Sequence, residues 1–344
     1  MKKTQIQLSD HFTYQKLLRF VLPSIVMMVF TSIYGVVDGL FVSNFVGKIP
    51  FAAINLVMPF IMILGGFGFM IGTGGSALIA KTLGEGRHKL ANRYFSMLII
   101  MTVILGLFLT TIGIVFARRV SILLGATDVM LDDCVIYLRT VLLFISPFML
   151  QNVFQSFLVT AQKPHAGLIV TIIAGLTNMS LDALFIVVFR WGVAGAALAT
   201  GISQCIGGLL PLILFLGKND SLLHLVPTRL EWRPFFLSCT NGMSELMGNI
   251  SSSIVSMLYN FQLLNYAGEN GIAAYGVLMY VQFIFIAMFI GYTIGTAPVI
   301  GYHYGAGNHM ELRNLLKKSF TVVSIAGVLM TAAAWGLAGP LSGV

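Results

Sequence analysis

The chain has 344 residues, of which 57% are hydrophobic and only 9% charged, with a formal net charge of +8. An ordinary soluble domain is about 25% charged, so this chain lacks the polar surface to keep so large a body in water. Cytosolic enzymes, nucleic-acid binders and disordered tails are disfavoured together, and a polytopic all-α membrane protein is the reading that remains.

The first residues, MKKTQIQLSDHFTYQKLLRF, open with Lys2 and Lys3 but have no apolar run directly behind them and no small-residue cleavage site. They are therefore not a signal peptide and read as a polar lead into the first span. A span needs about 20 residues, or roughly 30–35 with its loop, which allows nine or ten. Apolar runs predict nine, at 18–43, 51–80, 94–117, 135–161, 166–189, 193–216, 235–266, 272–303 and 318–340. The runs are continuously apolar instead of alternating, so helices and not barrel strands are expected. Pro147 predicts a kink in the fourth span. GTGGS at 72–76 lies inside the second span, and with the pairs Gly68/Gly72 and Gly291/Gly295 it reads as close helix packing, not a phosphate loop. No HExxH, GxSxG or P-loop is present, so no enzyme is expected and no cofactor. Cys134, Cys205 and Cys239 have no disulfide or metal spacing and read as small buried hydrophobes.

The basic residues sort by loop. One side carries Lys2, Lys3, Lys16, Arg19, Lys81, Arg87, Lys89, Arg93, Lys163, Lys218, Arg229, Arg233, Arg313, Lys317 and Lys318. The other has Lys48, Arg118, Arg119 and Arg190, with Arg139 near the mouth of the fourth span. This bias puts the amino terminus in the cytoplasm of a multi-pass inner-membrane protein. It also accounts for the basic balance without a nucleic-acid partner.

Asn44/Asn265, Gly47/Gly268, Ala52/Ala273, Met58/Met279, Gly74/Gly295, Gly84/Gly305, Gly86/Gly307 and His88/His309 recur at a constant offset of 221 residues, as from 44 to 265. Six spans separate the copies, an even number, so the halves are expected to be parallel repeats. The boundaries are 1–217 for a six-helix lobe, 218–234 for the loop between lobes and 235–344 for the first three helices of a second, incomplete lobe. The chain ends SGV directly after the ninth predicted span, which favours a chain that stops early.

Most acids fall in loops or at span ends, Asp10 and Glu311 among them, but Asp38, Asp182 and Glu245 sit at membrane depth. A carboxylate at the bilayer centre costs on the order of 2.5–3.5 kcal/mol, and no Lys or Arg lies at similar depth to pair with it. Such a group either takes a proton or binds a cation. Asn178 and Asp182 are four apart and share a helix face, as do Tyr34 and Asp38. Asn152 and Gln155 put a polar stripe on the fourth span, and Thr200 adds a hydroxyl in the sixth. For a single Asn or Thr, interhelical bonding is the simpler reading; for Asp38 and Asp182, a cation or proton site is. Glu245 lies about one turn into its span, where function and anchoring are equally open. Gln155, Met58 and Met279 are candidates for lining a substrate cavity, against the plainer reading of core packing.

Taken in order, YGVVDGLFVSNFVG, GTGGSALIAKTLGEG, NVFQSFLVTAQKPH, TNMSLDALFIVV, GVAGAALATGISQ, AAYGVLMYV and IGTAPVIGYHYGAGN resemble the multidrug and toxic compound extrusion (MATE) family over essentially the whole chain. The resemblance implies a V of two six-helix lobes, here lacking three helices, and cation-coupled export of amphipathic, cationic compounds by alternating access. It implies a cation or proton site of Tyr34, Asp38, Asn152, Asn178, Asp182 and Thr200, with Na⁺ an option at Asp38, Asn178, Asp182 and Thr200. It gives Pro23 a role in bending the first helix and Glu245 that of a displaced second-lobe acid. The partners implied are a drug-like small molecule, the bilayer and a transported H⁺ or Na⁺, with the protein a monomer. Two alternatives stand beside this: a lipid-linked oligosaccharide flippase of the same superfamily, and a non-transporting truncated fragment.

Overall fold

The computed structural model describes residues 6–217 and 221–342. The side chains of 257, 260, 261, 263–265, 267–281 and 337–342 lie outside that description, Met279 among them, as do Lys2, Lys3, Lys218 and Asp220. The described residues form helices and connections, with no strand. In chain order the helices are α1 (Tyr14–Phe45), α2 (Lys48–Gly84), α3 (His88–Leu123), α4 (Leu131–Leu143), α5 (Ile145–Thr160) and α6 (Pro164–Asp182). A π-helical turn (Ala183–Val188) follows, then α7 (Gly192–Leu216), α8 (Trp232–Asn241), α9 (Met243–Gly305) and α10 (His309–Ser342). Helices are what a continuously apolar chain must form in lipid, because each backbone group then finds its partner within the same segment.

The fourth predicted span is broken where proline chemistry requires it. Pro147 has no N–H to give to Leu143, four residues back, and its ring crowds that carbonyl. α4 accordingly ends at Leu143, and α5 leaves it at a bend of 57°. Seven helices are individually long and apolar enough to cross a membrane, or eight with the bent pair counted as one span, among the described residues. The expected nine are therefore not all counted. The uncounted span is 235–266, which α8, Gly242 and the first part of α9 occupy.

α9 runs through the predicted eighth span as well, yet its two ends are neighbours. Gly242, just before it, packs on Met70 of α2, and Gly301 packs on Ala77 and Ala80 of the same helix. A straight helix between those points would separate them by about 90 Å at ~1.5 Å per residue. The chain therefore doubles back between Asn249, which meets Gly66, and Phe283, whose carbonyl lies 3.5 Å from Ser32 Oγ. An up-and-down pair of crossings results, as the apolar pattern requires.

α5 is the central element, buried from Met149 through Thr160. Small residues let its neighbours close on it. A Cβ placed on Gly68 would stand 2.8 Å from the Met149 Cα, and one on Gly72 3.0 Å from the Val153 Cα. Gly291 and Gly295 do the same for α9 against α1, where the added Cβ would fall 2.6 Å from Ile25 Cα and from Val21 Cγ1. Both glycine pairs picked from the sequence are thus helix crossings.

The two copies of the GxG turn close identically. Gly86 (φ 78°) and Gly307 (φ 67°) occupy the left-handed region that favours glycine. Arg87 N–H donates to the Thr82 carbonyl and Asn308 N–H to that of His303, the long bond of a Schellman end in each case. These turns, the start of α1, the end of α7 and the loop 221–231 gather at one end of the bundle. There His224 and Val226 donate to Asn92 and Ser96 of α3. This end carries most of the lysines and arginines and is called the basic end below. The cysteines are free; Cys134 is buried as expected, while Cys205 and Cys239 are only partly so.

Candidate functional site

α1 and α6 run side by side in parallel register. Gly167 meets Met27, Gly175 receives the rings of Phe30 and Tyr34, and further along Asp38 faces Asp182. Asp182 is fully buried (0% exposed) and ends the α-helical part of α6. The wider π turn begins at the next residue, a deviation often found at functional positions.

The two carboxyl groups stand within hydrogen-bonding reach of each other. Even so, Asp38 Oδ1 and both Asp182 oxygens are buried without an aligned partner among the described residues. The three salt bridges there are His11–Glu311, Lys16–Asp10 and Arg87–Glu85, and none reaches this pair. Two acids at this range with no basic residue call for a proton or a cation between them.

The surroundings repeat the pattern. Asn178 Oδ1 and Thr200 Oγ1 are buried and unaligned with any partner, and so is Gln151 Oε1. Tyr34 lies within reach of Gln151, and Thr200 within reach of Tyr137, though neither pair is aligned into a bond. Buried polar atoms are nearly always bonded. A cluster of orphaned oxygens from α1, α5, α6 and α7 is what a site for a small cation or a proton relay looks like. Of the oxygen-bearing residues expected from the sequence, Tyr34, Asp38, Asn178, Asp182 and Thr200 fall in this region.

Asn152 is placed differently. Its Nδ2 donates to the Gly65 carbonyl at 3.2 Å, tying α5 to α2. That is the interhelical role favoured for a single asparagine. Its neighbour Gln151, on the adjoining face, reaches toward Tyr34 instead. Gln151 and Tyr137 were missed in the sequence. Gln151 shares a helix face with Gln155, four residues on, while Asn152 turns to α2. Gln155 is buried with Oε1 unpaired, Met58 packs against the α2–α4–α7 core, and Met279 lies outside the described side chains. Pro23 is buried inside an unbroken α1. Glu245 is half-buried near the start of α9, its carbonyl accepting from Asn249 Nδ2 at 2.8 Å.

Among the described residues no group of three or more His, Cys, Asp or Glu side chains forms a metal cluster. The two carboxylates with amide and hydroxyl oxygens form an all-oxygen donor set, the kind that hard cations take.

The family model described as MatE matches residues 23–184 and 246–343. The multidrug export protein MepA of Staphylococcus haemolyticus is 27% identical over 318 residues, covering 91% of this chain and 69% of that protein. MepA of Staphylococcus saprophyticus subsp. saprophyticus is 27% identical over 323 residues, covering 92% and 70%. Among solved structures, an outward-facing multidrug resistance MATE family transporter of the MOP superfamily superposes with a TM-score of 0.90 at 22% identity. It covers 99% of this chain and 76% of the other. A MOP superfamily transporter from Pyrococcus furiosus gives 0.87 at 22% identity, with 99% and 76% covered. At this identity the structural likeness speaks for the fold.

Proposed function

The chain belongs to the MatE family, and on that premise we propose that it is a cation-coupled multidrug antiporter working by alternating access. The observation that carries the reading is the Asp38–Asp182 pair, mutually close, with Asp182 and the Asp38 Oδ1 buried and no basic partner among the described residues. The reading divides the molecule into a lobe of residues 1–217, a connecting loop 218–234 and second-lobe helices 235–344. The basic end faces the cytoplasm, by the bias of lysine and arginine toward that side.

In this mechanism Asp38 and Asp182 are the loading groups. Asn178, Thr200 and Tyr34 supply neutral oxygens, while Gln151 and Tyr137 orient them. A bound H⁺ or Na⁺ relieves the repulsion between the two carboxylates of α1 and α6, so the two helices can close more tightly. An emptied pair leaves a negative site that favours a cationic, amphipathic compound. The two ligands thus favour opposite conformations, and only such differential affinity can couple them. Pro23 leaves the Arg19 carbonyl without its helical donor, giving α1 a place to bend between the basic end and Asp38. Gln155, Met58 and Met279 are assigned to the substrate path, and Glu245 to a second acid that faces it.

The test is dye efflux from vesicles driven separately by a pH gradient and by a sodium gradient, with wild type, Asp38→Asn and Asp182→Asn. One gradient should drive export in wild type, and neither should in the variants. Undiminished efflux in both variants would overturn the assignment.

A further inference from the structure

Residues 6–13, directly before α1, form a strap across the basic end, anchored on the start of α10. Leu8 and Phe12 are fully buried in a cluster with Tyr292, Val299 and Leu315 from the second half of the chain. Glu311, in the first turn of α10, is itself 95% buried (5% exposed). Its Oε1 accepts from the Phe12 backbone N–H at 2.9 Å and from Asn314 Nδ2 at 2.8 Å, while its Oε2 meets His11 Nδ1 at 2.6 Å. The Phe12 carbonyl in turn accepts from Asn314 Nδ2 at 3.1 Å and from the Lys318 ammonium. Both backbone groups of one strap residue are therefore held by α10 side chains. His303 of α9 sits edge-on to the Phe12 ring, with centroids 6.5 Å apart. On the strap's own side, Asp10 Oδ2 accepts from Gln7 N–H at 3.0 Å and pairs with Lys16 at 2.8 Å. Burial works against the Asp10 carboxylate, but Lys16 and the Gln7 amide outweigh it and hold its proton affinity below the ordinary carboxylate range. The strap is thus fixed to α1 at one end and to α10 at the other.

We propose that this set is a conformational latch, in which Glu311 holds the strap and so keeps the basic end of the bundle closed. The inference rests on the alternating-access reading given above. Beside the strap, Gly291 and Gly295 on α1 and Gly301 and Gly305 on α2 are close backbone approaches that can separate gradually, and the polar contacts Tyr14–Thr321 and Lys81 over the Tyr304 ring lie on exposed side chains. The strap contacts are directional hydrogen bonds to a charged group and are either made or broken. Opening the end would let water replace Phe12 N–H and His11 around Glu311, while Asn314, on the same helix, stays bonded to it. The carboxylate is then solvated and not stranded, which makes the latch reversible. Glu311 is a positioning residue in this account; it touches neither cation nor substrate.

The test uses the whole chain in lipid, spin-labelled at the exposed positions Lys89 and Met310, which lie on either side of the closed end. Pulsed electron-spin distance measurements should give one dominant short distance in wild type. Glu311→Ala should raise the long-distance population about tenfold or more, and Glu311→Gln, which keeps an acceptor oxygen, less. A second measurement guards against a folding defect in Glu311→Ala. An oxidised His11→Cys/Glu311→Cys pair should lose dye efflux and regain it with reductant. Unchanged distances in Glu311→Ala, or full efflux from the cross-linked protein, would overturn the latch. If instead the distances shift but no gradient drives efflux in wild type, the latch stands and the antiport reading fails.

Discussion

Two buried acids in this molecule, Asp182 and Glu311, have the same chemistry and opposite surroundings. Asp182 has both oxygens buried with no aligned partner among the described residues, beside a second acid. Glu311 is nearly as buried, but its two oxygens receive a backbone N–H, an amide and an imidazole. A carboxylate whose valences are filled by its own chain is a clamp. One left open is waiting for something that is not part of the chain. The contrast separates the transport site from the device that holds the bundle in one state.

The largest effect expected from this contrast is functional. Asp38→Asn and Asp182→Asn should each bring drug efflux to the level of cells lacking the protein, with expression and membrane insertion unchanged. Stability should move the other way. Asp182→Asn removes a buried charge that has no partner, so detergent melting temperature should stay level or rise. Glu311→Ala leaves the buried Phe12 N–H unmet and should cost roughly 1–3 kcal/mol, read as a fall in the same melting curve. Opposite signs in one assay would confirm the distinction; a fall in both would erase it.

Smaller effects sharpen it. Tyr137→Phe removes a hydroxyl facing the acid pair and should lower efflux about threefold to tenfold, a change of ~1 kcal/mol, without moving the melting curve. Asn152→Ala should show the reverse, a stability loss of about 1 kcal/mol from the missing bond to Gly65 with efflux within about twofold, since Asn152 faces α2. Asp10→Asn is the mildest change. Because the folded protein holds the Asp10 proton affinity low, its contribution is present above the usual carboxylate range. It fades as pH falls through the lower folded value. The variant should lose under about 1 kcal/mol at neutral pH, and its difference from wild type should vanish in acid.

The all-helical membrane fold, the break before Pro147 and both glycine crossings were legible in the sequence because each follows from a local rule: apolar length, a missing N–H, a missing Cβ. The matching Schellman ends at Gly86 and Gly307 were visible as a recurring GxG. Asp38 and Asp182 stood out because an acid in an apolar run has no bland explanation. What stayed hidden depends on facing. Gln151 and Asn152 are adjacent in sequence, and only the packing of α5 decides which meets α1 and which meets α2. Tyr137 needed α4 to be set against α7, where Thr200 lies, before its hydroxyl had a neighbour. Glu311 and the strap were read as loop residues. Nothing local to HFTY or NHMEL says that these segments, some 300 residues apart, are buried together. Their pairing is tertiary, and composition cannot carry it.

The claim that everything else depends on is that the open acid pair carries the coupling ion. Reconstitute the protein in liposomes, impose an outward gradient of a cationic dye, and record the counterflow of H⁺ and of Na⁺ with internal indicators. The account predicts that one of the two ions moves opposite to the dye in wild type and that this flux disappears in the Asp38→Asn/Asp182→Asn double variant. Equal ion counterflow in the double variant would contradict it.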